Sequence, residues 1–198
     1  MRIPALYRDY CMRVMETDSL LDKVENAQRA ILSGRGVFLY GGTGTGKTLL
    51  AVSLMRAWLA SKLTIQDGHA ILTCSPPRFV RSIDLLGEIK DTYSEKSPGS
   101  ERAVLALYES FPLLTIDDFG AERATDWARE KFYDLIDRRY VESGQKQTII
   151  TSNLSLDQIR ERIDDRIASR IVGMCALINM GSEDWRLKAV KALKAGGK

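Results

Sequence analysis

The 198-residue sequence has one histidine, His69, and three cysteines, Cys11, Cys74 and Cys175, with no CxxC pair among them. So sparse a set of soft ligands argues against a zinc cluster, and an odd, scattered cysteine count argues against a disulfide framework. A reducing, cytoplasmic setting is the expectation. No stretch approaches the ~20 apolar residues of a membrane span. The first residues lack the apolar run of a signal peptide, so none is expected. Strong charge of either sign is also missing. With 29 basic and 26 acidic residues the net charge is +3, too mild to demand a nucleic-acid partner. Internal repeats are absent. What is present, 44% apolar and 28% charged residues, is ordinary for a globular domain long enough to bury a core unaided.

The order of elements narrows the fold. Residues 4–30 carry helical spacing, with Leu6, Tyr10 and Val14 four apart, and Gly34 and Gly36 break the pattern. Residues 37–40 read as a buried strand. A glycine-rich turn follows, then a helix from Lys47 to about Ser61 with Leu54, Met55, Trp58 and Leu59 on its apolar face. Residues 70–74 read as the next strand of the sheet. Pro76 and Pro77 open a segment read as helical to about Tyr93, which ends in the loop SEKSPGSE. Residues 113–116 form another buried strand. Thr125 is the candidate N-cap of a helix bearing Phe132, Leu135, Ile136 and Tyr140 and stopped by Gly144. Residues 147–151 make a strand rich in β-branched side chains. A helix from Ser155, a helix around 166–171 and a last strand near 176–179 complete the chain. This alternation predicts a three-layer α/β/α domain on a parallel sheet of about five strands. The expected division is a short helical segment at 1–35, the core at 36–181 and a basic tail at 182–198.

One motif carries specific chemistry. GGTGTGKT, comprising Gly41, Gly42, Thr43, Gly44, Thr45, Gly46, Lys47 and Thr48, fits G-x-x-x-x-G-K-[ST]. Glycines let successive backbone N–H groups turn inward around phosphate oxygens. The helix starting at Lys47 adds its positive N-terminal end. Lys47 supplies a point charge to the β- and γ-phosphates, and the Thr48 hydroxyl is a ligand for Mg²⁺. The match falls between a strand and a helix, as this chemistry requires. ATP with Mg²⁺ is the expected ligand.

Three further constellations surround it. LLTIDDFG, residues 113–120, is an apolar strand ending in two carboxylates at the sheet edge where such folds bind ligands. Asp117 is the candidate Mg²⁺ holder and Asp118 the candidate base for an attacking water; the alternative is an exposed Asp-Asp turn. Asn153, just after the strand at 147–151, is either a polar sensor of the γ-phosphate or a helix cap or turn residue before Leu154. Arg166 and Arg170 lie four apart in DDRIASRI, on one helical face. They are either arginines offered to a neighbouring subunit's phosphates or partners in local ion pairs such as Asp165 with Arg170.

Taken together, GGTGTGKT, LLTIDDFGAE, TIITSNLS and DDRIASRI resemble the AAA+ family. The closer resemblance is to the ATPase domain of DnaC/DnaI-type replicative helicase loaders and the related IstB transposition ATPases. It covers most of the chain, from IPALYRDY to GSEDWRLK. The resemblance implies an AAA+ core that hydrolyses ATP; many such ATPases have Glu where Asp118 stands, one methylene longer, and turnover is expected to be slow without a partner or oligomer. It makes Asn153 the first sensor, Arg170 an arginine finger acting in trans within a homo-oligomer, and Arg166 its supporting basic residue. It further implies a replicative helicase and single-stranded DNA as partners, with no membrane. Two other readings stay open: an IstB-like ATPase assisting a transposase, and a nucleotide-gated DNA-binding module with little turnover. The chain departs from the wider family in two ways. Only 18 residues follow Met180, too few for a full helical lid, which leaves Arg186 as the candidate second sensor. About 35 residues precede the first strand, where loaders usually carry a helicase-binding region. Arg186, Lys188, Lys191, Lys194 and Lys198 form a basic run without an acid, read either as a solvated tail or as a DNA-backbone contact.

Overall fold

The computed structural model describes residues 18–94, 99–121 and 125–185. The expected helical spacing at 4–17, Cys11, Arg186 and the basic run behind it lie outside the described residues. Seven strands and seven helices occur in the described chain: α1 (Asp18–Leu32), β1 (Gly36–Tyr40), α2 (Lys47–Ser61), β2 (Leu63–Gln66), β3 (His69–Leu72), β4 (Arg78–Arg81), α3 (Ser82–Asp91), α4 (Glu101–Ser110), β5 (Leu113–Asp117), α5 (Asp126–Val141), β6 (Gln147–Ser152), α6 (Leu156–Arg162), α7 (Asp165–Met174) and β7 (Cys175–Asn179). Five strands pair in the order β4-β5-β6-β1-β7, every pair parallel.

The central strands are buried along their whole length, because helices cover both faces of a parallel sheet. Successive side chains serve opposite faces. Val37 and Leu39 enter a core shared with α1 and α2, whereas Phe38 enters a larger core built by α3 to α7. This division sets the ligand crevice. The connection leaving β1 runs through α2 on one face, and that leaving β6 runs through α6 and α7 on the other. The chain therefore diverges between two neighbouring strands, and their carboxyl ends open a cleft.

Two expectations are corrected. Residues 70–74 do not join the main sheet. His69–Leu72 pairs antiparallel with Leu63–Gln66 in a separate hairpin, turned by Asp67 and Gly68, both at positive φ. The strand beside β5 is Arg78–Arg81, inside the segment read as helical. The hairpin strands are mostly exposed, so their apolar residues mimic a core strand without a core to enter. Helix α4 was not foreseen; Ser100 caps it by accepting from the Ala103 N–H. Thr125 and Ser155 cap α5 and α6, the latter in a reciprocal box with Gln158.

At the amino edge of the sheet Arg139 is fully buried. Its Nε donates to Thr148 Oγ1 at 2.9 Å. Nη1 donates to the carbonyls of Tyr108, Glu109 and Phe111 at 3.1, 3.0 and 3.0 Å, and Nη2 to Gln147 O at 2.6 Å. The guanidinium thus satisfies the carbonyls at the end of α4, where a helix presents its negative pole. Burial pulls its pKa down to about 10, so it remains charged at neutral pH. Arg139→Leu should lower stability by about 3–5 kcal/mol, because several buried acceptors lose their donor at once. Arg139→Lys should recover only part of this, since one ammonium cannot span the same set. Urea unfolding followed by circular dichroism measures both; an Arg139→Leu chain as stable as the parent would remove the guanidinium from this role.

Candidate nucleotide site

The cleft between β1 and β6 gathers Lys47, Thr48, Asp117 and Asn153 beside the loop glycines singled out in the sequence. Lys47 opens α2 and is only 6% exposed. Its Nζ donates to Gly41 O at 3.0 Å, to Gly42 O at 2.7 Å and to Asn153 Oδ1 at 2.8 Å. The last bond joins the turn after β1 to the turn after β6. Lys47 therefore also braces the loop, beyond any part in holding phosphate. Gly41, Gly44 and Gly46 have φ of 146°, 79° and 87°, conformations that only glycine adopts without strain. Thr45 Oγ1 closes the turn by donating to Gly42 O at 3.0 Å.

Asp117 ends β5 and is 4% exposed. Its Oδ1 accepts from Thr48 Oγ1 at 2.9 Å and from Thr151 Oγ1 at 2.7 Å. Burial raises its pKa above the usual carboxylate range, against the two hydroxyl bonds and the Lys47 charge, while the Asp118 carboxylate raises it further. Thr48 Oγ1 and Asp117 Oδ1 are hard oxygen donors of the kind Mg²⁺ takes. That ion is commonly held by one carboxylate, a hydroxyl and substrate phosphates. Among the described residues no group of three His, Cys, Asp or Glu could hold a metal alone, so nucleotide phosphates would complete the shell.

Asp118 departs from the strand. Its φ of 56° is left-handed, a conformation Asp tolerates better than most residues. Two hydroxyls fix that turn: Asp118 N–H donates to Thr151 Oγ1 at 2.9 Å, and Ser82 Oγ donates to Asp118 O at 2.9 Å. Thr151 was not singled out in the sequence, yet it touches both carboxylate-bearing residues. It was hidden among the β-branched residues of β6. Asn153 is not a helix cap; that position belongs to Ser155. Ser152 Oγ instead binds Phe119 O at 2.6 Å and accepts from the Leu154 N–H at 3.0 Å, which fixes the turn carrying Asn153.

Arg166 and Arg170 meet other partners. Arg170 Nε donates to Asp137 Oδ1 of α5 at 2.6 Å, and its guanidinium lies 4.7 Å from the Tyr140 ring centroid. Arg166 pairs with Asp164 at 2.8 Å and stacks 4.3 Å from the Tyr133 ring. The expected Asp165–Arg170 pair does not form; Asp165 accepts from Arg160 Nε at 2.8 Å. Both arginines sit on the α5–α7 surface, partly exposed at 63% for Arg166 and 34% for Arg170.

A glycine-rich loop between strand and helix, an acidic strand end and a polar neighbour on β6, set in the order β4-β5-β6-β1-β7, define a P-loop nucleoside triphosphatase fold of the AAA+ kind. Within that class the chain belongs to the family of IstB-like ATP binding proteins, whose profile matches residues 12–192. It is 27% identical over 165 residues to the replicative helicase loader DnaI of Bacillus subtilis (strain 168), covering 77% of this chain and 48% of that protein. It is 28% identical over 147 residues to the replicative helicase loader DnaC of Buchnera aphidicola subsp. Schizaphis graminum, covering 74% and 51%. A crystal structure of the DnaC helicase loader superposes with a TM-score of 0.67 at 26% identity, covering 89% of this chain and 99% of that one. The chain spans about half the length of the curated relatives it matches. No described helix is long and apolar enough to cross a membrane.

The buried carboxylate yields a prediction with a definite sign. A raised folded-state pKa stabilises at low pH and loses that stabilisation as pH rises through it. Asp117→Asn should therefore raise the thermal midpoint at pH 7 by a few degrees without nucleotide or Mg²⁺, as removal of strained site charges often does. The gain should shrink on acidification. Melting curves between pH 4 and 8 test this; a midpoint at or below the parent's at pH 7 contradicts it.

Proposed function

We propose that this chain binds ATP with Mg²⁺, hydrolyses it, and uses the cycle to load a replicative helicase onto single-stranded DNA. The observation that carries the nucleotide half is the Lys47–Asn153 hydrogen bond, which joins the phosphate loop to the turn after β6. In this reading the loop amides from Gly41 to Thr48 cradle the phosphates, and Thr48 and Asp117 hold Mg²⁺. The ion supplies charge neutralisation on the β- and γ-phosphates. Asp118 accepts the proton of the attacking water. Asn153, already within reach of Lys47, orients that water or the γ-phosphate. Arg170 acts on a neighbouring subunit's nucleotide, and Arg166 supports it. Its bond to Asp137 is partly exposed, so exchanging that carboxylate for a phosphate across an interface costs little. The helicase and DNA half rests on the relatives named as replicative helicase loaders. The family match to IstB-like proteins supports a second reading, an ATPase that assists a transposase.

Lys47→Ala should abolish detectable ATP binding, and circular dichroism should accompany it because Lys47 also braces the loop. Asp118→Asn should keep Mg-ATP yet lose on the order of 10²–10⁴ in turnover, as expected for a missing general base. Parent-like hydrolysis by that variant would take the base assignment elsewhere. Arginine fingers contribute about 10³–10⁵ in rate, so Arg170→Ala and Lys47→Ala should each be nearly inactive alone. Mixed, they should regain activity at interfaces pairing an intact loop with an intact finger. No gain in a demonstrably co-assembled mixture refutes action in trans. For the client, ATP-dependent retention of a purified hexameric helicase supports loading, and retention of a transposase alone favours the second reading.

A further inference from the structure

Two glycines in GGTGTGKT, Gly42 and Gly44, occupy positions where the motif accepts any residue. The structure gives both a reason. After β7 the chain turns back over the phosphate loop at residues 181–185. Gly42 N–H donates to Gly181 O at 2.8 Å, and Trp185 N–H donates to Gly44 O at 3.1 Å. A Cβ on Gly42 would fall 3.1 Å from Ser182 Cα, and one on Gly41 2.5 Å from Gly181 O. A Cβ on Gly44 would fall 2.0 Å from Asp184 Oδ1. Trp185 packs against the core under α1 and α2, which anchors the far end of this strap. Gly181, at φ 81°, makes the turn that starts it, and its N–H donates to Asn179 Oδ1 at 2.8 Å.

The half-buried carboxylate of Asp184 thus lies against the backbone of a loop shaped to bind anions. A charge touching the backbone of the loop at Gly44 is within the ~8 Å screening length of phosphates held by that loop's amides. Partial burial weakens screening further. Like charges so placed repel, and the strap is hydrogen-bonded to the same peptide units that must adapt to the phosphates.

We propose that residues 181–185 form an acidic strap that gates the phosphate loop, with Asp184 opposing the charge of the nucleotide's phosphates. Occupation of the loop strains the Gly42–Gly181 and Trp185–Gly44 hydrogen bonds and loosens the strap. The arrangement would report nucleotide occupancy to the chain beyond Trp185. This inference rests on the reading of residues 41–48 as an ATP site.

The test compares equilibrium binding of Mg-ATP and Mg-ADP by the parent, Asp184→Asn, Asp184→Glu and the adjacent control Glu183→Gln. Asp184→Asn should bind ATP on the order of tenfold more tightly, with a smaller gain for ADP, which carries less charge. Asp184→Glu and Glu183→Gln should stay close to the parent. Equal ATP affinity in parent and Asp184→Asn overturns the gate, and so does an equal gain from Glu183→Gln, which would reduce the effect to net charge. A parent that binds no ATP instead overturns the site reading itself. Independently of any variant, deuterium uptake by the parent across residues 181–185 should rise on saturation with Mg-ATP. Unchanged or lower uptake there contradicts the loosening.

Discussion

The Arg139 guanidinium is the fixed point of the molecule. This buried cation, with no carboxylate hydrogen-bond partner among the described residues, is held by carbonyls from the end of α4, the approach to β5 and the start of β6. Gln147 continues this polar belt, donating to Ile31 O at 2.5 Å and accepting from Trp58 Nε1 at 2.6 Å. Helices from both faces are thereby tied to one edge of the sheet. Such a belt is tolerable in a core only when its members are satisfied. With the amino edge secured, the carboxyl edge is free to carry turns whose backbone angles serve chemistry.

At that edge polar contacts substitute for packing. Lys47 bonds Asn153, and Thr48 and Thr151 bond Asp117, so the start of α2 is tied to the ends of β5 and β6. The raised pKa of Asp117 expresses the cost of burying its charge, which a divalent cation would offset.

Much of this was legible in the sequence because the governing interactions are local. A phosphate loop is a run of eight residues, and strands β1, β5 and β6 are short runs of apolar and β-branched residues whose boundaries the structure keeps within a residue or two. The misreadings share a cause. Residues 70–74 and 78–81 compete for the role of edge strand, and local composition favoured the wrong one; only pairing with β5 decides it. Thr151 looked like a strand former, and its second role depends on Asp117, 34 residues away. Asp137 and Tyr140, which hold Arg170, sit on a different helix and leave no trace in the spacing of DDRIASRI.

The hairpin of β2 and β3 lies outside this economy. It stands apart from the five-stranded sheet, with Ile65 83% exposed and its tip turned at Asp67 and Gly68. A Cβ added at Gly68 meets nothing within 4 Å. Its backbone hydrogen bonds are made within the hairpin, so lengthening the tip disturbs neither β1 nor β4. Such tips are where chains accept inserted sequence. The hairpin is thus the domain's graft point, where a tag, a label or a whole guest domain can be carried while the nucleotide cleft keeps its shape.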